Sequence, residues 1–175
     1  GKANIWRARG DAYGEKGAYD QAIKDFSEAI RLDPENVRVW FYRGLAYYNK
    51  GDYDQAIKDY SEAIRLGPDN AYNWHNRSSA YGRKGDHDEA IKDYSEAIRL
   101  KPDFSRAWGG RGIAYAKKGD YGQAVRDYSE AIELDPEDVE DTMAWYNRGI
   151  AYRELGNETK AKADFLKAEE LEAKE

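Results

Sequence analysis

Four stretches of the chain set apolar against polar residues in the same order. Residues 18–32 read AYDQAIKDFSEAIRL, residues 52–66 DYDQAIKDYSEAIRL, residues 86–100 DHDEAIKDYSEAIRL and residues 120–134 DYGQAVRDYSEAIEL. In the first, Ala22, Phe26, Ala29 and Ile30 fall three and four residues apart or adjacent, on one face of a helix. Upstream of each phrase lies a second helical face, beginning with Trp6, Gly10 and Tyr13. Both patterns return every 34 residues and divide the chain into 3–36, 37–70, 71–104, 105–138 and 142–175. Two leading residues and the insertion Val139-Glu140-Asp141 lie outside that register. A period of this length marks a solenoid of stacked units.

The punctuation between the patterns predicts where each helix ends. Gly17, Gly51, Gly85, Gly119 and Gly156 recur at repeat position 15, where a left-handed residue closes the first helix. Asp52, Asp86 and Asp120 follow, each with Gln or Glu three residues later, which predicts a capping box for the second helix. Pro34, Pro68, Pro102 and Pro136 then stop that helix. Position 8 is Gly10, Gly44, Ser78, Gly112 or Gly149, and position 20 is always Ala, so the two helices of a unit can approach closely. Each unit is therefore an antiparallel helix pair that buries its remaining apolar edge on a neighbour.

Trp6, Trp40, Trp74, Trp108 and Trp145 share position 4, and Tyr13, Tyr47, Tyr81, Tyr115 and Tyr152 share position 11. Ala22, Ala56, Ala90, Ala124 and Ala161 hold position 20, with Phe26, Tyr60, Tyr94, Tyr128 and Phe165 at position 24. With the small residue at position 8 and the proline at position 32, this pattern resembles the tetratricopeptide repeat family. The resemblance spans five copies and implies an all-α fold, a right-handed α-solenoid of antiparallel helix pairs, as a single domain over 1–175. It further implies that first helices form the inner wall of a superhelix, with positions 2, 5, 9, 12 and 13 facing inward.

One recurrence departs from the family. Position 7 is Arg9, Arg43, Arg77, Arg111 and Arg148, and position 23 is Asp25, Asp59, Asp93, Asp127 and Asp164. Guanidinium and carboxylate match in a two-pronged geometry, so a repeated interhelical ion pair is expected, against the alternative of ten separately solvated charges. Positions 21 and 28 are Ile or Val in the first four units but Lys162 and Glu169 in the fifth. That change, with the charged tail KAEELEAKE, is read as a capping unit at the C-terminal end. The first unit has no such polar substitutions, and weak self-association through the N-terminal end is expected.

Composition narrows the function. The formal net charge is −6, which excludes a global basic field for nucleic acid or acidic membrane. A mean hydropathy of −1.01 suggests disorder, but 15 Tyr and 5 Trp oppose it. No apolar run is long enough to span a bilayer and residues 1–20 hold no signal-peptide core, so a cytoplasmic protein is expected, with the periplasm left open. The chain has no Cys, and His75 and His87 do not share a helix face, so neither a thiolate site nor a histidine metal pair is expected. No phosphate loop or dinucleotide fingerprint occurs. No catalytic residue, cofactor or metal is expected; the chain reads as a non-enzyme.

Candidate function rests on residues that vary while the frame does not. At positions facing the implied inner wall, or beside them, stand Arg38, Phe41, Leu45, Tyr48, Tyr72, His75, Asn76, Arg83, Arg106, Ile113, Lys117, Tyr146 and Arg153. Aromatic and arginine side chains are common anchors of protein interfaces. The set predicts capture of a protein or peptide segment, with the cations favouring acidic or C-terminal carboxylate character. The alternative is a structural or self-assembling scaffold, natural or engineered, without a peptide ligand. The carboxylate clamp of chaperone-binding family members is not reproduced: starting at the second unit, its positions hold Phe41, Leu45, Asn76, Arg106 and Gly110.

Overall fold

The computed structural model describes residues 1–135 and 139–173, with 139–142 as backbone alone. The described residues form ten helices: α1 (Lys2–Glu15), α2 (Tyr19–Leu32), α3 (Val37–Lys50), α4 (Tyr53–Leu66), α5 (Ala71–Lys84), α6 (His87–Leu100), α7 (Ser105–Lys117), α8 (Tyr121–Leu134), α9 (Val139–Glu154) and α10 (Glu158–Glu172). They gather into two compact units, 1–86 and 87–175. In the first, α1 packs along α2 and α3 along α4, while α2 and α4 pack on to α3 and α5. In the second, α7 packs along α8 and α9 along α10, with α6 against α7 and α8 against α9. The fold is all-α, built from antiparallel helix pairs in sequence.

Local chemistry sets the helix ends. Gly17, Gly51, Gly85, Gly119 and Gly156 all have positive φ, between 72° and 93°, a conformation that costs glycine little. The expected capping boxes form only by half. Asp52 Oδ1 accepts the Gln55 backbone N–H at 3.2 Å and Asp120 Oδ1 that of Gln123 at 3.1 Å. The reciprocal donor is already used, because the Asp52 N–H reaches back to the Tyr47 carbonyl and that of Asp120 to Tyr115. The glycine turn thus satisfies the amide that a capping-box glutamine would otherwise bind. Pro34, Pro68 and Pro102 follow the ends of α2, α4 and α6 as expected; Pro136 lies outside the described residues.

The interior rests on small residues under aromatic ones. Ala22, Ala29, Ala56, Ala63, Ala124 and Ala131 are completely buried. A Cβ at Gly10 would stand 2.7 Å from the Phe26 ring, and one at Gly112 would stand 2.8 Å from Tyr128. Those glycines are therefore a steric requirement of the helix pair.

A repeated polar ladder runs through this interior. Arg43 Nε and Nη2 donate to the two Asp59 oxygens at 2.7 and 2.8 Å, and Arg111 does the same to Asp127 at 2.7 and 2.9 Å. Arg9 with Asp25 and Arg148 with Asp164 repeat the geometry. All four carboxylates are buried, so they are not solvated surface charges. The third prong crosses to the preceding pair: Nη1 of Arg43, Arg77, Arg111 and Arg148 donates to the hydroxyls of Ser27, Ser61, Ser95 and Ser129 at 2.9–3.0 Å. Each serine passes its own proton to a carbonyl one turn back, such as Ile23 or Ile91. The same guanidiniums lie over Trp40, Trp74, Trp108 and Trp145, 4.7–5.0 Å from the ring centres. Burial pulls the Arg43 and Arg111 pKa values down, but the hydrogen bonds and charges of Asp59 and Asp127 more than reverse it and hold both guanidiniums charged. A further tie runs from the Trp40, Trp74 and Trp108 indoles, which donate to the Pro34, Pro68 and Pro102 carbonyls at 2.8–2.9 Å.

Candidate functional site

In the first unit α1, α3 and α5 lie side by side, and two hollows open on them. One, of about 340 Å³, is lined by Val37, Arg38, Phe41, Tyr42, Asn70, Tyr72 and Asn73. Asn70 caps α5, its Oδ1 accepting the Tyr72 N–H at 3.0 Å, which holds Tyr72 in the first turn with half its surface exposed. Asn73 is buried and donates to the Ala63 carbonyl at 3.3 Å, tying α5 to α4. Phe41 stands edge-on to Tyr42 at 5.4 Å and tilts over Tyr60 at 5.8 Å, while the Arg38 guanidinium lies 5.9 Å from the Tyr42 ring centre. The hollow is therefore aromatic, with a cation at its edge.

The second hollow, of about 330 Å³, includes Asp11, Glu15, Tyr19, Tyr42, Leu45 and Asn49 in its lining. Arg7 Nη1 donates to Asp11 Oδ2 at 2.7 Å, whereas Asp11 Oδ1 is buried without a hydrogen-bond partner. Burial raises the Asp11 pKa, and the neighbouring charges of Arg7 and Arg38 do not fully offset it. Tyr42 walls both hollows.

Of the residues singled out in the sequence, Arg38, Phe41 and Tyr72 thus share one hollow and Leu45 lines the other. Tyr48 packs edge-on to Tyr53 at 5.5 Å, and burial raises its pKa. Tyr53 lies close enough to Arg83 to raise its pKa. The Asn76 side chain donates to the Tyr72 carbonyl at 2.8 Å, turning it to the α5 backbone, while the His75 main-chain carbonyl accepts from the Ser78 and Ser79 hydroxyls. In the second unit Tyr146 and Arg153 share a hollow of about 520 Å³ with Met143, Phe165, Glu169 and Glu172. The Tyr146 ring is 5.4 Å from Phe165, and Arg153 lies 5.8 Å from that same ring. Arg106, Ile113 and Lys117 stand exposed on α7 and do not line that hollow.

The sequence reading passed over Asp11, Glu15 and Tyr42. Their signal was present: positions 9 and 13 carry carboxylates in the first unit, where the second has Leu45 and Asn49. Among the described residues no group of three His, Cys, Asp or Glu could hold a metal ion, and no helix is long and apolar enough to cross a membrane.

The profile described as tetratricopeptide repeat matches residues 7–71, 75–139 and 114–174. The chain belongs to the tetratricopeptide repeat family. Members of this family are non-enzymatic scaffolds for protein–protein interaction, and this tetratricopeptide repeat protein is such a scaffold. No curated protein matches it significantly. Among solved structures it is similar to a MamA crystal structure, at 27% identity and a TM-score of 0.87, covering 94% of this chain and 95% of that one. It is similar as well to residues 41 to the end of MamA from Desulfovibrio magneticus RS-1, at 20% identity and a TM-score of 0.91, covering 99% and 97%. YrrB, described as a tetratricopeptide repeat protein with an unusual peptide-binding site, gives 20% identity and a TM-score of 0.78 over 95% and 84%.

Proposed function

We propose that this protein captures a segment of a partner protein on its first helices, with the hollow between Phe41 and Tyr72 holding an apolar or aromatic anchor. Arg38, at the edge of that hollow, draws acidic or C-terminal carboxylate character on the ligand. The observation that carries the reading is an exposed tyrosine, a phenylalanine and an arginine sharing one 340 Å³ space on a frame whose other residues repeat. Large rigid rings beside a guanidinium are the side chains that dominate interface energetics. Leu45 and Tyr48 extend the apolar surface along α3, and Tyr146 with Arg153 offers a second aromatic and cationic pair on α9. The peptide-binding site of YrrB lends this reading support by analogy of fold.

The test is selection of peptides from a random display library on the intact protein, followed by titration of the best binder. Tyr72→Ala removes an exposed anchor without emptying the core, and the affinity is expected to fall about 30-fold, a loss near 2 kcal/mol typical of an anchor residue. Unchanged affinity in a folded Tyr72→Ala, Phe41→Ala double variant overturns the reading. If no peptide is enriched, the scaffold without a ligand is the reading that remains.

A further inference from the structure

The second hollow of the first unit has a chemistry opposite to its neighbour. Its aromatic walls come from Tyr19, Phe26 and Tyr42, and Asp11 and Glu15 lie in the same lining, which contains no lysine or arginine. Asp11 is already half-committed: Arg7 holds one oxygen, and the other is buried with no donor. The Asp11 side chain is partly exposed, but its Oδ1 is shielded from water and lacks a donor, so an arriving cation supplies a partner that oxygen otherwise goes without. Aromatic faces add attraction for the same cation. Gly14 keeps the space clear, because a Cβ there would meet nothing within 4 Å.

We infer that this hollow is a pocket for a basic side chain, lysine or arginine, of the bound segment. The inference deepens the peptide-capture reading and rests on it for its biological occupant. Tyr42 separates the two hollows, so the basic residue sits close along the segment to the apolar anchor. Steric room, two carboxylates and three rings together select against an acidic residue there and prefer a cation over an apolar side chain of similar length. The ligand the protein favours thus carries both signs of charge, its acidic part by Arg38 and its basic residue by Asp11.

The pocket is tested directly by NMR titration of the whole protein with N-acetyl-lysine methylamide and N-acetyl-arginine methylamide, with N-acetyl-norleucine methylamide as the uncharged control. Shifts are expected to gather on Asp11, Gly14, Tyr42 and Asn49 with at least one basic probe and to be at least tenfold weaker with norleucine. Gly14→Met fills the hollow from a helix position facing open space and is expected to abolish them. Asp11→Asn keeps the side-chain shape and is expected to weaken binding about tenfold. Equal responses to norleucine, shifts that persist in Gly14→Met, or no shifts at these residues with either basic probe would each overturn the inference. The Tyr72→Ala variant separates the two ideas: it disables the neighbouring anchor hollow and is expected to leave this titration unchanged. Selected peptides that lack a basic residue would sink the pocket as a ligand site while leaving peptide capture intact.

Discussion

Removing one arm of the buried ladder is expected to cost far more than removing both. Arg111 makes two bonds to Asp127, one to Ser95 and a face contact with Trp108, and its side chain is only 16% exposed. Arg111→Met leaves the Asp127 carboxylate, 4% exposed, buried and uncompensated. Breaking a buried pair from one side typically costs about 3–5 kcal/mol. The lost Ser95 bond adds roughly 1 kcal/mol, and the lost ring contact about 0.5–1 kcal/mol. A single-variant loss of about 4.5–7 kcal/mol is thus expected, a large share of the roughly 5–15 kcal/mol that holds a domain folded. In Arg111→Met/Asp127→Leu no charge is stranded, and the loss is expected to shrink to about 1–2 kcal/mol. Denaturant unfolding followed by far-ultraviolet circular dichroism measures all four corners of the cycle. Losses that add to within about 0.5 kcal/mol would refute the coupled ladder. The matching change at Arg9, whose side chain is exposed, is expected to be milder.

Adjacent glycines on α7 are expected to respond in opposite directions. Gly110→Ala drives a Cβ into the Tyr94 ring and destabilises by about 1–3 kcal/mol, whereas Gly109→Ala meets only Ala131 at 4.0 Å and gains roughly 0.5–1 kcal/mol of helix propensity; thermal melts compare them. Tyr60→Phe deletes a buried hydroxyl that has no hydrogen-bond partner, so unfolding titrations are expected to find it neutral or more stable, and a loss above about 1 kcal/mol would mean the hydroxyl is satisfied. Asp11→Asn is expected to be more stable than the wild type at neutral pH. The Asp11 pKa is raised in the fold, so its ionisation opposes folding above that pKa; the difference vanishes once pH falls below the ordinary aspartate value and the wild-type carboxyl is protonated in both states.

The helices, their ends and the Arg–Asp pairing were legible because each depends on residues that recur at fixed spacing within one unit. The serine prong was not. Ser27, Ser61, Ser95 and Ser129 look like ordinary polar helix residues until the next pair delivers its arginine, a contact that no single helix's periodicity contains. The prolines were read as helix stops, and their second use, a carbonyl that accepts the next tryptophan's indole N–H, is equally a property of stacking. The candidate surface was legible in part. Phe41, Tyr72 and Arg38 stood out as departures from the frame, but the acidic hollow requires α1 and α3 to bring Asp11 beside Asn49, and the emptiness over Gly14 has no signature in residue type. The charge ascribed to the surface also needed geometry: Arg7, beside Asp11, offsets only part of a carboxylate's burial.

Amide chemical-shift mapping with a selected peptide tests peptide capture most directly. The account predicts that the shifts concentrate on α3 and α5 around Phe41, Tyr42 and Tyr72, and that Tyr72→Ala moves the titration to about 30-fold higher peptide concentration without altering the rest of the spectrum. Shifts concentrated on α2 and α4, with Tyr72→Ala binding as tightly as the wild type, would contradict it.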